Sequence, residues 1–375
     1  MTKGKVVVAM SGGVDSSVAA ALLQKQGYEV IGMMLRLWSE PGRAASNRCC
    51  TPAAMNVARR VAGQLGIPFY AVNAQERFHD VVVKYFLDGY ASGQTPNPCL
   101  ACNRQIRWEF LLDRALALGA DYMATGHYVR LTRAPGEPVR LFEAADTHKD
   151  QSYVLHVLDQ AKLQHALFPL GDYTKPQVRQ IASDLNLPAA DSKESQDLCF
   201  LAGQDYRHFL VRHKPELAQP GPIVNAQGET LGEHAGLVNY TIGQRKGLGI
   251  AAAEPLYVLG KDFAKGALVV GSKKELGSSE LIAESVSWLA GFAPNAPFRA
   301  EVKIRYSAKK APAKVIPLAG EGARVEFAQP MRDITPGQAA VFYVHGEVLG
   351  GGLIASEPFS VQKAEIFSSE AVPVA

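Results

Sequence analysis

The chain has 375 residues, a formal net charge of +3, 47% apolar and 20% charged residues. That length is too great for one ordinary core and implies two or three domains, and the composition excludes a disordered chain. No apolar run approaches the roughly 20 residues of a membrane span, and the run after the basic N-terminus is too short for a signal core, so a cytoplasmic protein with no membrane contact is expected.

Strand and helix signals alternate from the start. KVVVAM (5–10) is a short β-branched run of the kind that forms a buried parallel strand. SGGVDSS (11–17) follows, and SVAAALLQKQG reads as a helix ending at glycine. YEVIGMML is the next strand, and TPAAMNVARRVAGQLG a helix with Thr51 at its N-cap and Pro52 at its first position. IPFYAVNA is a third strand. In ERFHDVVVKYFLDGY, helical spacing puts Phe78, Val81, Val82, Tyr85 and Phe86 on one core-facing side. ADYMATGHY carries a strand into a glycine turn, where parallel sheets bind ligands. Repeated strand–helix units imply an α/β fold with a doubly wound parallel sheet.

The texture changes near residue 205, where glycine and proline become dense, as in AQPGPIVNAQGETLGEHAG. Beyond residue 280 come short alternating strands (FRAEVKIRYS, ARVEFAQP, GQAAVFYVHGEVLGGGLI) that suggest a small β-barrel. The expected division is an α/β domain over 1–204, a small central domain over 205–279, a C-terminal β-barrel over 280–362 and a tail over 363–375.

AMSGGVDSS (9–17) is the strongest local signal. Gly12 and Gly13 let the backbone curl between strand and helix until several N–H groups face one point. A phosphate there meets unpaired amides and the positive end of the helix, with the hydroxyls of Ser11, Ser16 and Ser17 close by. The Walker string G-x-x-x-x-G-K-[ST] is absent, and an acid, Asp15, stands in the loop in place of a lysine. The pattern points away from γ-phosphoryl transfer and toward ATP cleaved to a magnesium-bound pyrophosphate.

The five cysteines are Cys49, Cys50, Cys99, Cys102 and Cys199, and none follows. Cys99 and Cys102 form a C-x-x-C in TPNPCLACN (95–103), which by itself fits a metal site, a redox pair or sulfur handling. EVKIRYSAKKAPAK holds five basic residues against one acid, which fits a solvated strand edge as well as an RNA grip.

SGGVDSSVAAALL resembles the PP-loop ATP pyrophosphatases. Together with GQTPNPCLACN, ATGHY, KDQSYVL, SQDLCF, TIGQRKGLG and TPGQAAVFY, in order from about residue 5 to about residue 355, it resembles the tRNA-specific 2-thiouridylases of the MnmA/TrmU family. The resemblance implies ATP-dependent sulfur insertion at C2 of the wobble uridine in tRNAs for lysine, glutamate and glutamine, fed by an upstream persulfide donor (a cysteine desulfurase or sulfur-relay protein). It implies ATP contacts at Ala9, Met10, Ser11, Gly12, Gly13, Val14, Asp15, Ser16 and Gly126, and at Leu35, where methionine is usual. Asn97, Pro98 and Cys99 match the target-base turn. His127, Lys149, Asp150, Gln151, Arg305, Tyr306 and Gln338 match tRNA contacts. Cys102 matches the nucleophile and Cys199 the persulfide carrier. Part of the family has aspartate where this chain has Cys99, so an acid–base role there does not carry over. Cys99, Cys102 and Cys199 therefore also admit a rival, three thiolates on a 4Fe–4S cluster. Two readings from other classes are a PP-loop ligase acting on a small molecule and a non-catalytic sulfur carrier or RNA-binding protein.

Overall fold

The computed structural model describes residues 2–42, 51–192, 198–201, 203–263, 265–332 and 334–356. Cys49, Cys50 and the expected tail lie outside the described residues.

Seven strands come first: β1 Lys5–Ala9, β2 Glu29–Arg36, β3 Phe69–Asn73, β4 Tyr122–Ala124, β5 Val129–Thr132, β6 Arg140–Glu143 and β7 Ala166–Leu167. Five of them make a parallel sheet in the order β3-β2-β1-β4-β7. Val6, Val7 and Val8 of β1 are fully buried, as the centre of a sheet covered on both faces requires. The order reverses between β1 and β4, which opens a crevice beyond their C-terminal ends. Helix α1 (Val14–Lys25) leaves β1 through Gly13, and α2 (Pro52–Leu65) begins where the Thr51 side chain accepts from Ala54 N at 3.0 Å.

Two helical expectations shift. Helix α1 starts at Val14, so Asp15 stands in its first turn, where the helix dipole favours an acid, and not in the loop before it. The helix over 75–91 contains a π-wound stretch, His79–Val83, whose wider turn rotates the residues beyond it. Phe78, Val82, Val83, Phe86 and Leu87 are therefore the buried side chains, while Val81 and Tyr85 are only partly covered.

The central region folds β8 (Gly221–Val224), β9 (Thr230–His234), β10 (Tyr257–Asp262) and β11 (Ala267–Gly271) into a small sheet of order β10-β11-β8-β9. Its own core includes Ile223, Leu237, Val258 and Leu268. Six strands follow: β12 Ser278–Trp288, β13 Phe298–Lys303, β14 Ala311–Leu318, β15 Gly322–Met331, β16 Ala339–Val344 and β17 Glu347–Ile354. They run β12-β15-β14-β13-β16-β17, and pairing of β12 with β17 closes the barrel.

The barrel is not a separate bead on the chain. The β5–β6 hairpin of the first domain pairs with the start of β17, with Phe142 opposite Glu347 and Leu141 opposite Val348. One hydrophobic core unites Val7, Trp108, Leu141 and Tyr153 with Leu289, Val341 and Tyr343 of the barrel. The buried Tyr153 hydroxyl donates to Ala339 O at 3.0 Å and accepts from Ala339 N at 3.1 Å. Such sharing fixes the barrel against the crevice. Among the described residues no helix is long and apolar enough to cross a membrane.

Candidate active site

A cavity of about 530 Å³ opens at the crevice. Ala9, Met10, Ser11, Gly13, Val14, Asp15 and Ser16 wall one end, with Leu35 and Gly126 beside them. Gly12 stands behind this wall: its φ of +77° and the Ala54 carbonyl, 2.4 Å from where a Cβ would lie, leave room for glycine only. Gly126 lies so close to α1 that a Cβ would meet Ser16 N at 2.8 Å. Ser16 Oγ accepts from Ser11 N at 3.1 Å and donates to Gly13 O at 3.1 Å, which holds the turn in shape. Ser17 is fully buried and donates to Gly13 O at 2.9 Å, so its hydroxyl serves the turn instead of facing a ligand as expected. Alternate residues of β2, Met33 and Leu35, offer an apolar wall.

Asp15 has partners that the sequence did not suggest. Lys175 Nζ lies 2.7 Å from each of its carboxylate oxygens, and the Tyr128 hydroxyl donates to Oδ1 at 2.7 Å. Lys175 is the first residue of the helix Lys175–Asp184, capped by Thr174 and Gln177. The capping-box string TKPQ was a visible signal for that helix start, and a lysine at its first position was the anomaly within it.

Cys102 lines the same cavity. It sits in a helix over 98–117 that is π-wound from Cys102 to Leu111. Cys102, Ile106, Arg107 and Leu111 all line the cavity, a spacing that fits i→i+5 winding and not a regular α-helix. Arg107 Nη1 donates to His127 Nε2 at 3.0 Å, so His127 carries its proton on Nδ1 and donates to Thr125 Oγ1 at 2.7 Å. Burial, with Arg107 beside it, holds His127 well below the usual imidazole range, and the ring is neutral. His127, Lys149, Gln151 and Tyr306 also line the cavity, the last brought from the barrel.

Other expected residues lie outside the cavity. Asp150 is buried, accepting from Ala144 N at 3.0 Å and from the Ser152 hydroxyl at 2.7 Å. Gln338 donates to Thr95 O at 2.7 Å, and Thr95 N to Pro336 O at 2.8 Å, so this residue braces the TPNP turn against the barrel. Arg305 donates to the Thr335 hydroxyl. Asn97 accepts from Cys99 N at 3.1 Å and caps the short helix Pro98–Ala101, in which Pro98 is buried.

Cys99 is exposed, whereas Cys102 and Cys199 are partly buried and pack on one hydrophobic cluster with Ile106, Phe200 and Phe209. Cys102 opens on the cavity, and Cys199, in the short turn Cys199–Leu201, does not line it. Among the described residues no three histidine, cysteine or acidic side chains come together as a metal site, these three cysteines included. This arrangement does not favour the three-thiolate cluster.

A nucleotide cradle at the switch point of a parallel sheet, joined to a small central domain and a closed barrel, defines an ATP-using protein of PP-loop type with two β-rich additions. Three family models match in turn: the tRNA methyl transferase HUP domain over 4–203, the tRNA methyl transferase PRC-barrel domain over 207–272 and the aminomethyltransferase beta-barrel domain over 278–354. The tRNA-specific 2-thiouridylase MnmA of Roseiflexus castenholzii is 47% identical over 369 residues, covering 94% of this chain and 100% of the relative. That of Magnetococcus marinus is 49% identical over 353 residues, covering 93% and 98%. The chain belongs to the tRNA-specific 2-thiouridylase MnmA family. Among solved structures, the U34-tRNA thiolase NcsA from Methanococcus maripaludis with its 4Fe–4S cluster is similar over 57% of this chain and 67% of that one, at 20% identity and a TM-score of 0.35.

Proposed function

We propose that this protein is a cytoplasmic tRNA-uridine 2-sulfurtransferase that thiolates the wobble uridine of the tRNAs for lysine, glutamate and glutamine. The observation that carries the reading is a single cavity lined by both the phosphate cradle and Cys102. Oxide is a poor leaving group, so C2 must be activated before sulfur can enter. The uridine C2 oxygen attacks the α-phosphorus of ATP, a P–O bond forms, and pyrophosphate leaves on the side of the loop amides. Magnesium arriving with ATP would find one carboxylate, Asp15, beside phosphate oxygens and water, and would neutralise charge on the departing pyrophosphate.

Sulfur comes as a persulfide on Cys199, loaded by an upstream donor. Cys199 shares a hydrophobic cluster with Cys102 but does not line the cavity, so the step requires its persulfide to reach in beside Cys102. The outer sulfur then attacks C2, and AMP departs with the original oxygen. The Cys102 thiolate then attacks Cys199 Sγ, which frees the 2-thio group and leaves a Cys102–Cys199 disulfide for an external thiol to reduce. The target base must leave its stack to enter, and Tyr306, exposed on the rim, offers a ring to stack on. Lys149, and Arg305 in the turn between β13 and β14, grip phosphates.

The test is single-turnover thiolation of tRNA, read by nucleoside mass spectrometry and pyrophosphate release. Cys199→Ser is expected to release pyrophosphate yet form no 2-thiouridine, and Cys99→Ser to keep most of the activity. Thiolation by Cys199→Ser would overturn the sulfur path, and a mass gain of one methylene in place of oxygen-to-sulfur exchange would overturn the reaction.

A further inference from the structure

Lys175 is a charged side chain only 7% exposed, and a buried ammonium is retained only when it is paired. Its Nζ is clasped by both Asp15 oxygens at 2.7 Å and lies 5.8 Å from the Tyr128 ring centre. Its position breaks a local rule. Lys175 is the first residue of its helix, where the dipole disfavours a cation and favours an acid. Helices α1 and Lys175–Asp184 also pack together, sharing Val14, Val18, Val178 and Ala182 in one core. Two positive helix ends and an ammonium thus border one cavity wall, with the Asp15 carboxylate among them. A local penalty of this kind is expected where a site is built for a ligand of the opposite charge.

The loop itself lacks the lysine with which a Walker loop reaches phosphate oxygens. The fold supplies one from 160 residues further along the chain. We propose that Lys175 is the phosphate-binding lysine of this site, pairing with a β- or γ-phosphate oxygen of ATP and then with the released pyrophosphate, while Asp15 and Tyr128 hold it in place until nucleotide arrives. The inference rests on reading the cavity as an ATP site, and not on what the activated uridine later accepts.

Binding of ATP, inorganic pyrophosphate and AMP, each measured without tRNA, tests it. Lys175→Met is expected to weaken ATP and pyrophosphate roughly 10- to 100-fold, the factor for loss of one charge-assisted hydrogen bond, and to leave AMP unchanged. Lys175→Arg, which keeps the charge, should recover much of the difference. Equal loss for AMP would mean that the lysine only ties two helices together, and unchanged pyrophosphate affinity would overturn the proposal. If Lys175→Met does not fold, the structure of the wild-type protein with a non-hydrolysable ATP analogue decides. Nζ within hydrogen-bond distance of a phosphate oxygen supports the assignment, and an ammonium left on Asp15 alone overturns it. A protein that loses pyrophosphate affinity as expected but never thiolates tRNA would refute the proposed function while leaving Lys175 where it stands.

Discussion

At the phosphate end of the cavity, the wall is a run of neighbours: residues 9–16 form strand end, turn and helix start, and their own hydroxyls and amides shape the turn. The rest of the lining, including Cys102, Gln151 and Tyr306, comes from distant segments, and Tyr306 arrives on the barrel. The first arrangement survives most changes elsewhere, because its geometry is set by short-range bonds. The second depends on the shared core and on contacts such as Gln338 to Thr95 and Tyr153 to Ala339, so domain packing governs it. Two parts of one site thus have different sensitivities.

The largest expected effect breaks the short-range part. Gly126→Ala would drive a methyl group to 2.8 Å from Ser16 N and 2.9 Å from the Asp15 carbonyl carbon. The start of α1 must shift, and kcat/KM for ATP should fall on the order of 100-fold, the scale of an ångström-sized misplacement, while tRNA affinity stays unchanged. Steady-state pyrophosphate release and tRNA binding by titration check both halves. An equal loss in tRNA binding would show that the two parts are not separable.

A smaller effect is expected from Gln338→Ala, which removes the bond to Thr95 O at a cost of about 1 kcal/mol. As a brace of the TPNP turn, its loss should slow thiolation several-fold, about the factor that energy implies, with pyrophosphate release and tRNA affinity kept. A weakened tRNA affinity with an unaltered single-turnover rate would instead make Gln338 an RNA contact, as the family resemblance implies.

The smallest effect is one of pH on stability. Burial pulls His156, packed near the barrel junction, down to about 4, and it pushes His127 down as well. Both are neutral in the fold but take a proton near pH ~6.5 once unfolded, so the unfolded chain binds more protons below that value. Stability therefore falls as pH drops from ~6.5 toward ~4, with a slope per histidine of at most about 1.4 kcal/mol per pH unit. His156→Asn should flatten the urea midpoint between pH 7 and 5.5, whereas an unchanged slope would mean that His156 takes up its proton without unfolding.

Strand β1, the glycine turn, and the Thr51–Pro52 start of α2 were legible in the sequence, since each depends on residues within a few positions of one another. So was the change to a β-rich C-terminal half, and the ordered strings marked Cys102, Gly126, His127 and Tyr306 one by one, whereas their meeting in one cavity required the fold. Other features required the folded chain. The π-winding that sets Arg107 on the same face as Cys102 leaves no periodic signature, because the same residues also suit an α-helix. The inward turn of Asp150 follows from amides presented to it by the chain around β6. Nothing in the sequence near Lys175 ties it to Asp15. Only the packing of that helix on α1 brings its ammonium to Asp15, since electrostatic contacts across 160 residues are set by topology and not by local spacing.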